Sequence, residues 1–169
     1  MSTRRWAARI AVLFLAGCAS YTLDGRGLVP GQSRVNDVEA QMGVPSDRIT
    51  LPNGSAVWYY ATGPMGHTTN AVRLSPDGVV QSVEQVLTVE NLARLVPGVT
   101  RGSEVKEVLG PPWRITRLDR QQRNVWEYRM YGQEQDDYNL YVQLSNDDTV
   151  REVLLLKAYR LPQGAWRYR

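Results

Sequence analysis

The chain carries one message twice. Residues 28 to 45 read LVPGQSRVNDVEAQMGVP, and residues 95 to 112 read LVPGVTRGSEVKEVLGPP. At an offset of 67, Leu28, Val29, Pro30, Gly31, Arg34, Val38, Gly43 and Pro45 recur as Leu95, Val96, Pro97, Gly98, Arg101, Val105, Gly110 and Pro112. Ser33 is matched by Thr100, Asp37 by Glu104 and Met42 by Leu109. Farther on, Val57-Trp58-Tyr59-Tyr60 matches Val125-Trp126-Glu127-Tyr128 at an offset of 68, and Val72-Arg73-Leu74-Ser75 matches Val142-Gln143-Leu144-Ser145 at 70. Short loop insertions produce such a slow drift. Any fold for this chain therefore has to be built from two copies of one unit.

The shared residues predict the unit. Ser33 and Thr100 suit helix N-caps, with Asp37 and Glu104 in the first turn, where the helix dipole favours negative charge. Val35, Val38 and Met42 lie on one helical stripe, as do Val105, Val108 and Leu109. Gly43 and Gly110 suit a left-handed C-terminal cap, and Pro45 and Pro112 stop the helix. A further short helix is expected at Val89 to Leu95 and, weakened by Gly25 and Gly27, at Leu23 to Val29. The period then changes to two. Trp58 and Tyr60 share one strand face, as do Trp126, Tyr128 and Met130. Val72 with Leu74, and Leu140 with Val142 and Leu144, mark a second strand. Val79 to Val86 and Val150 to Leu156 mark a third. The expected fold class is α+β: two tandem helix-helix-strand-strand-strand repeats, antiparallel meander sheets with helices on one face. A unit this small buries only ~60% of its chain surface, so the halves are expected to pack together.

The other constraint lies at the N-terminus. Arg4, Arg5 and Arg9 precede an apolar run from Ile10 to Ala16, too short to span a bilayer. Leu15-Ala16-Gly17-Cys18 holds the single cysteine and resembles the lipobox of bacterial lipoproteins. That resemblance implies cleavage before Cys18, a diacylglycerol on its sulfur and an acyl group on its new amine. Two or more acyl chains hold a protein durably to a bilayer. Ala19 and Ser20 follow, with no aspartate, which by resemblance to the enterobacterial sorting pattern implies the outer membrane. The chain has 20 Lys+Arg against 17 Asp+Glu, but residues 1–17 hold three of the arginines and no acid. The remainder is balanced, and no net positive field argues for nucleic acid.

Pro-Gly-x-Ser/Thr, then Val, then Met/Leu-Gly-x-Pro, then Val-Trp-x-Tyr, then a strand and a turn of the Asp77-Gly78 kind: this order resembles the SmpA/OmlA (BamE-like) lipoproteins, once per repeat. The resemblance implies a small scaffold on the periplasmic face of the outer membrane of a Gram-negative bacterium, without catalysis and without a cofactor beyond the lipid on Cys18. It implies partners among envelope proteins, the barrel-assembly machinery included. That family's usual member carries one copy, and this chain carries two. The duplicated architecture is also similar to β-lactamase inhibitor proteins, which implies the alternative of an inhibitor or ligand-binding module using an exposed sheet face. On this reading the chain divides into a signal peptide at 1–17, a lipidated linker at 18–22, BamE-like repeats at 23–87 and 88–158, and a tail at 159–169.

No catalytic set is apparent. His67, the single histidine, sits in a loop-like stretch and reads as exposed. Asp136 and Asp137 read as a solvated hairpin tip, because a calcium loop needs alternating oxygen ligands around a glycine. Arg114, Arg117, Arg120 and Arg123 read as a solvated loop between helix and strand. Strand alternation puts Tyr59, Arg73, Gln81, Glu127, Arg129, Tyr131, Tyr141, Gln143 and Arg151 on the sheet face opposite the helices. Tyr and Arg are favoured in recognition hot spots, so Tyr59, Arg129, Tyr131 and Tyr141 are the candidate partner-binding residues. The tail YRLPQGAWRYR mixes aromatics with arginine, which suits either a membrane interface or a fold-back of Trp166 onto the core.

Overall fold

The two Pro-Gly steps make the same turn. Gly31 and Gly98 take φ of +78° and +81°, a left-handed backbone that glycine adopts without strain. Ser33 and Thr100, expected to cap helices, instead accept a hydrogen bond from the backbone four residues back: Val29 N to Ser33 Oγ at 2.9 Å, Val96 N to Thr100 Oγ1 at 2.8 Å. The cap comes from the acids, because Asp37 and Glu104 accept from the backbone N–H of Arg34 and Arg101 at 2.8 and 2.7 Å. The same loop is then tied to the far hairpin. Gly31 N donates to Val80 O and Val80 N to Ser33 O; Gly98 N donates to Val150 O and Val150 N to Thr100 O; all four bonds are 2.8 Å long.

A computed structural model describes residues 22–132 and 134–158. The signal segment, Cys18 and the tail from 159 onward lie outside the described residues. The first half contains α1 (Val35–Met42), β1 (Asp47–Thr50), β2 (Ala56–Ala61), β3 (Thr69–Leu74) and β4 (Val80–Gln85). The second contains α2 (Val89–Leu92), α3 (Gly102–Leu109), β5 (Arg114–Leu118), β6 (Arg123–Tyr131), β7 (Asp137–Ser145) and β8 (Val150–Lys157). Each half has its own four-stranded antiparallel meander, β1-β2-β3-β4 and β5-β6-β7-β8.

The expected fold class is corrected on three counts. The protein is mostly β, with eight strands and three short helices among the described residues. First, each sheet begins with a strand that apolar alternation does not reveal. DRIT of β1 and RITRL of β5 are edge strands left largely in solvent, and Arg114 and Arg117 sit in the second of them rather than in a loop. Second, the short helix expected in both halves forms only as one turn at α2. Leu23 to Val29 forms turns instead, with Gly25 at φ +63°. Third, helices do not keep to one face, because the first sheet carries α1 on one side and α3 on the other.

Each helix packs on the sheet of its own half. Val38 and Met42 of α1 are buried against Trp58, Tyr60, Val72, Leu74 and Val80. Val105 and Leu109 of α3 are buried against Tyr128, Met130, Leu140, Val142 and Leu144. Full burial of such side chains stabilises by ~1.5–3 kcal/mol apiece. Helix end and sheet are then joined by one repeated bond. The Tyr60 hydroxyl donates to the carbonyl of Gly43, and the Tyr128 hydroxyl to that of Gly110, both at 3.2 Å. The Gly-x-Pro and Trp-x-Tyr motifs, distant in sequence, thus meet at one contact.

The opposite face of the first sheet is also apolar: Val57, Tyr59, Ala71 and Val86 are all buried there. The second half covers it. Tyr59 donates to the carbonyl of Glu107 in α3 at 3.2 Å, and Lys106 pairs with Asp47 at 2.6 Å. The Gly110 backbone lies so close that an added Cβ would stand 2.6 Å from Thr69 and 3.1 Å from Tyr59. α3 is therefore the shared middle layer between two sheets.

Two expectations follow. Gly110→Ala combines a positive-φ penalty with overpacking, at about 1–3 kcal/mol for each. Gly98→Ala, with nothing within 4 Å of its added Cβ, carries the backbone penalty alone; urea unfolding separates the two. Burial lifts the Tyr60 phenol pKa to about 12 and raises those of Tyr59 and Tyr128 as well. A raised folded pKa stabilises below the unfolded value of about 10 and is lost as pH rises toward the folded one. Thermal melts should therefore show a falling alkaline limb. Tyr60→Phe with Tyr128→Phe should flatten it while costing about 1 kcal/mol per lost bond at neutral pH.

Candidate partner-binding face

The four candidate binding residues have different fates. Tyr59 has no exposed surface, being sealed under α3, and drops out of the set. Arg129 and Tyr131 are engaged by the first half. The hairpin loop at 62–68, between β2 and β3, reaches past the end of α3 to the tip of the second sheet. There Arg129 Nη1 donates to Pro64 O at 3.0 Å, and Tyr131 stacks on His67 with ring centroids 4.5 Å apart. His67 is 7% exposed, not the solvated loop residue its surroundings suggested, and its Nε2 lies 3.3 Å from Asp137 Oδ1. Asp136, at the same tip, pairs with Lys157. Tyr131 nonetheless keeps 41% of its surface exposed, and Tyr141 sits on an open sheet face.

That face is the outer side of the second sheet, away from α3. Strand register puts Arg114, Thr116 and Leu118 of β5, Val125 and Glu127 of β6, Tyr141 and Gln143 of β7, and Glu152 and Leu154 of β8 on it. They surround a shallow hollow of about 290 Å³, lined by Thr116, Leu118, Val125, Glu127, Tyr141, Gln143 and Leu154. Its Glu127, Thr116 and Gln143 side chains are already paired. Glu127, 6% exposed, accepts from Arg114 at 2.6 Å and from Thr116 Oγ1 at 2.7 Å. Arg123 Nη1 donates to Gln143 at 2.9 Å and to Glu152 at 3.2 Å. Burial works to raise the Glu127 carboxyl pKa, but the hydrogen bonds from Arg114 and Thr116 and the Arg114 charge outweigh it, and the net shift is downward.

The result is a rigid, mixed surface: aliphatic patches from Leu118, Val125 and Leu154, one aromatic ring, and a fixed lattice of charge. Preorganised surfaces of this kind bind at low ordering cost. Alternation along β6 and β7 pointed to Glu127, Tyr141 and Gln143. Arg114, Thr116 and Leu118 were missed with their strand, because Ile115 and Leu118, three residues apart, fall on opposite faces and break the period of two. Among the described residues there is no group of three or more His, Cys, Asp or Glu side chains able to hold a metal ion.

No family model matches the chain, and no curated protein sequence matches it. Among solved structures it is similar to the crystal structure of a DUF4309 family protein (YjgB) from Bacillus subtilis. That likeness has 21% identity over 79% of this chain and 84% of that one, with a TM-score of 0.30. At this score it carries no argument about fold or function.

The depressed Glu127 carboxyl stabilises the fold at neutral pH. That contribution is lost as pH falls below the ordinary glutamate value of about 4.3, through the lower folded value. Glu127→Gln should therefore lower Tm at neutral pH yet flatten its fall on acidification, as read by melts across the acid range.

Proposed function

We propose that this chain is a non-catalytic lipoprotein, held by acyl chains on Cys18 to the periplasmic face of the outer membrane, that scaffolds or modulates envelope proteins by direct contact. The lipobox-like Leu15-Ala16-Gly17-Cys18 supports the location. Among the described residues no helix is long and apolar enough to cross a membrane, so that reading rests on the anchor. The observation that carries the binding role is the outer face of the second sheet. Among the described residues it is the sheet face left without a covering layer, and its Tyr141, Arg114 and Arg123 are of the types that dominate protein interfaces. The hollow between Thr116 and Leu154 also favours a second reading, in which one defined ligand or enzyme loop fills it in the manner of an inhibitor module.

Replacing Tyr141 with a photo-crosslinking phenylalanine in cells should capture an envelope protein, whereas the same group at Val29 should not. Tyr141→Ala with Leu154→Glu should weaken the captured interaction at least about tenfold, the effect of losing one ~1.4 kcal/mol contact. Equal capture from both positions would defeat the proposal. Capture of a single soluble enzyme would select the inhibitor reading.

A further inference from the structure

Of the ten large apolar side chains exposed among the described residues, half share one end of the molecule, while Val29, Val96 and Val99 flank the Pro-Gly turns elsewhere. Leu23 (37% exposed), Val44 (86%), Met65 (87%), Trp113 (37%) and Tyr131 (41%) all project from one end of the molecule. Their links are explicit. Asn70, at the start of β3, donates to the carbonyl of Leu23 at 2.7 Å. Ser46, two residues beyond Val44, accepts from the N–H of Ala61 at the end of β2. Between those two strand ends runs the loop at 62–68 with Met65 at its crest. The same loop packs Gly63 against the Cβ of Trp113 and His67 against Tyr131. A Trp, a Tyr and three aliphatic side chains on one end match the residue types that settle at a membrane–water boundary.

The described chain also begins there. Thr22 N donates to the carbonyl of Gln41 at 3.3 Å, close to Val44, and Leu23 follows on Asn70. Four residue steps separate Thr22 from Cys18, a reach of at most about 14 Å. A lipid on Cys18 therefore keeps the headgroup layer within a short tether of this end. We propose that this end rests on the bilayer, with Val44, Met65 and Trp113 entering the headgroup region and the strands of both sheets rising away from it. The inference rests on the lipid-anchor reading and adds an orientation: the outer face of the second sheet stands sideways to the membrane, open to partners approaching along it.

The test uses the acylated full chain, purified from membranes and reconstituted into phosphatidylethanolamine–phosphatidylglycerol vesicles. A nitrobenzoxadiazole probe is attached at Val44→Cys or Met65→Cys, and at Val99→Cys as the comparison. Val99 is 70% exposed and lies beside the β7–β8 turn, at the opposite end. The Cys18 sulfur, already a thioether, does not take the label. Emission from positions 44 and 65 should shift to the blue and be quenched by headgroup-spin-labelled lipid, while position 99 should do neither. Protein that stays on the vesicles with no shift at 44 and 65, or with an equal shift at 99, overturns the orientation and leaves the anchor standing. Protein that washes off the vesicles, or a Cys18→Ser variant that partitions into cell membranes as before, overturns the anchor and the orientation with it.

Discussion

The first sheet has two apolar faces, and one helix can cover only one of them. α1 takes the side lined by Trp58, Tyr60 and Val72. Val57, Tyr59, Ala71 and Val86 are left on the other side and have to be removed from water. α3 does this while also sealing its own sheet. The order of layers, the contact of Gly110 with Tyr59 and the wrap of the 62–68 loop around the second sheet all follow from that need.

The two copies part ways at a few matched positions. Tyr59 corresponds to Glu127, and its strand partner Ala71 to Tyr141. A large ring beside a methyl group makes a flat surface that α3 can cover. A carboxylate beside a ring, fixed by Arg114 and Thr116, makes a surface that water tolerates. Two sheets of the same strand order therefore present opposite outer faces, one buried and one open among the described residues.

Much of this was legible in the residues and some was not. The duplication, the helices after each Pro-Gly, three strands per half and the turns at Asp77-Gly78 and Asn146 to Asp148 all left local signatures, because caps, stops and apolar periods are local. The edge strands β1 and β5 left none, since their stability comes from pairing with a neighbour rather than from a buried stripe. The fate of Tyr59 was invisible for a related reason. Alternation assigns a side chain to a face, but only the partner layer decides whether that face is wet. His67 shows the same limit: its glycine-rich surroundings suggest a loop, which it occupies, but not the Tyr131 ring that buries it.

In stacked units of this kind, the helix of one unit docks on the sheet of the unit before it, as α3 docks on the first sheet. On the second sheet Glu127 makes the outer face unlike the one that α3 covers. Any layer laid on this face has to match the exposed Arg114 guanidinium that holds the buried Glu127 carboxylate, which a purely apolar helix face does not do. Arrays of repeats need a polar outer surface on the last member to remain soluble. Here the Arg114–Glu127 pair supplies part of such a surface on the second sheet.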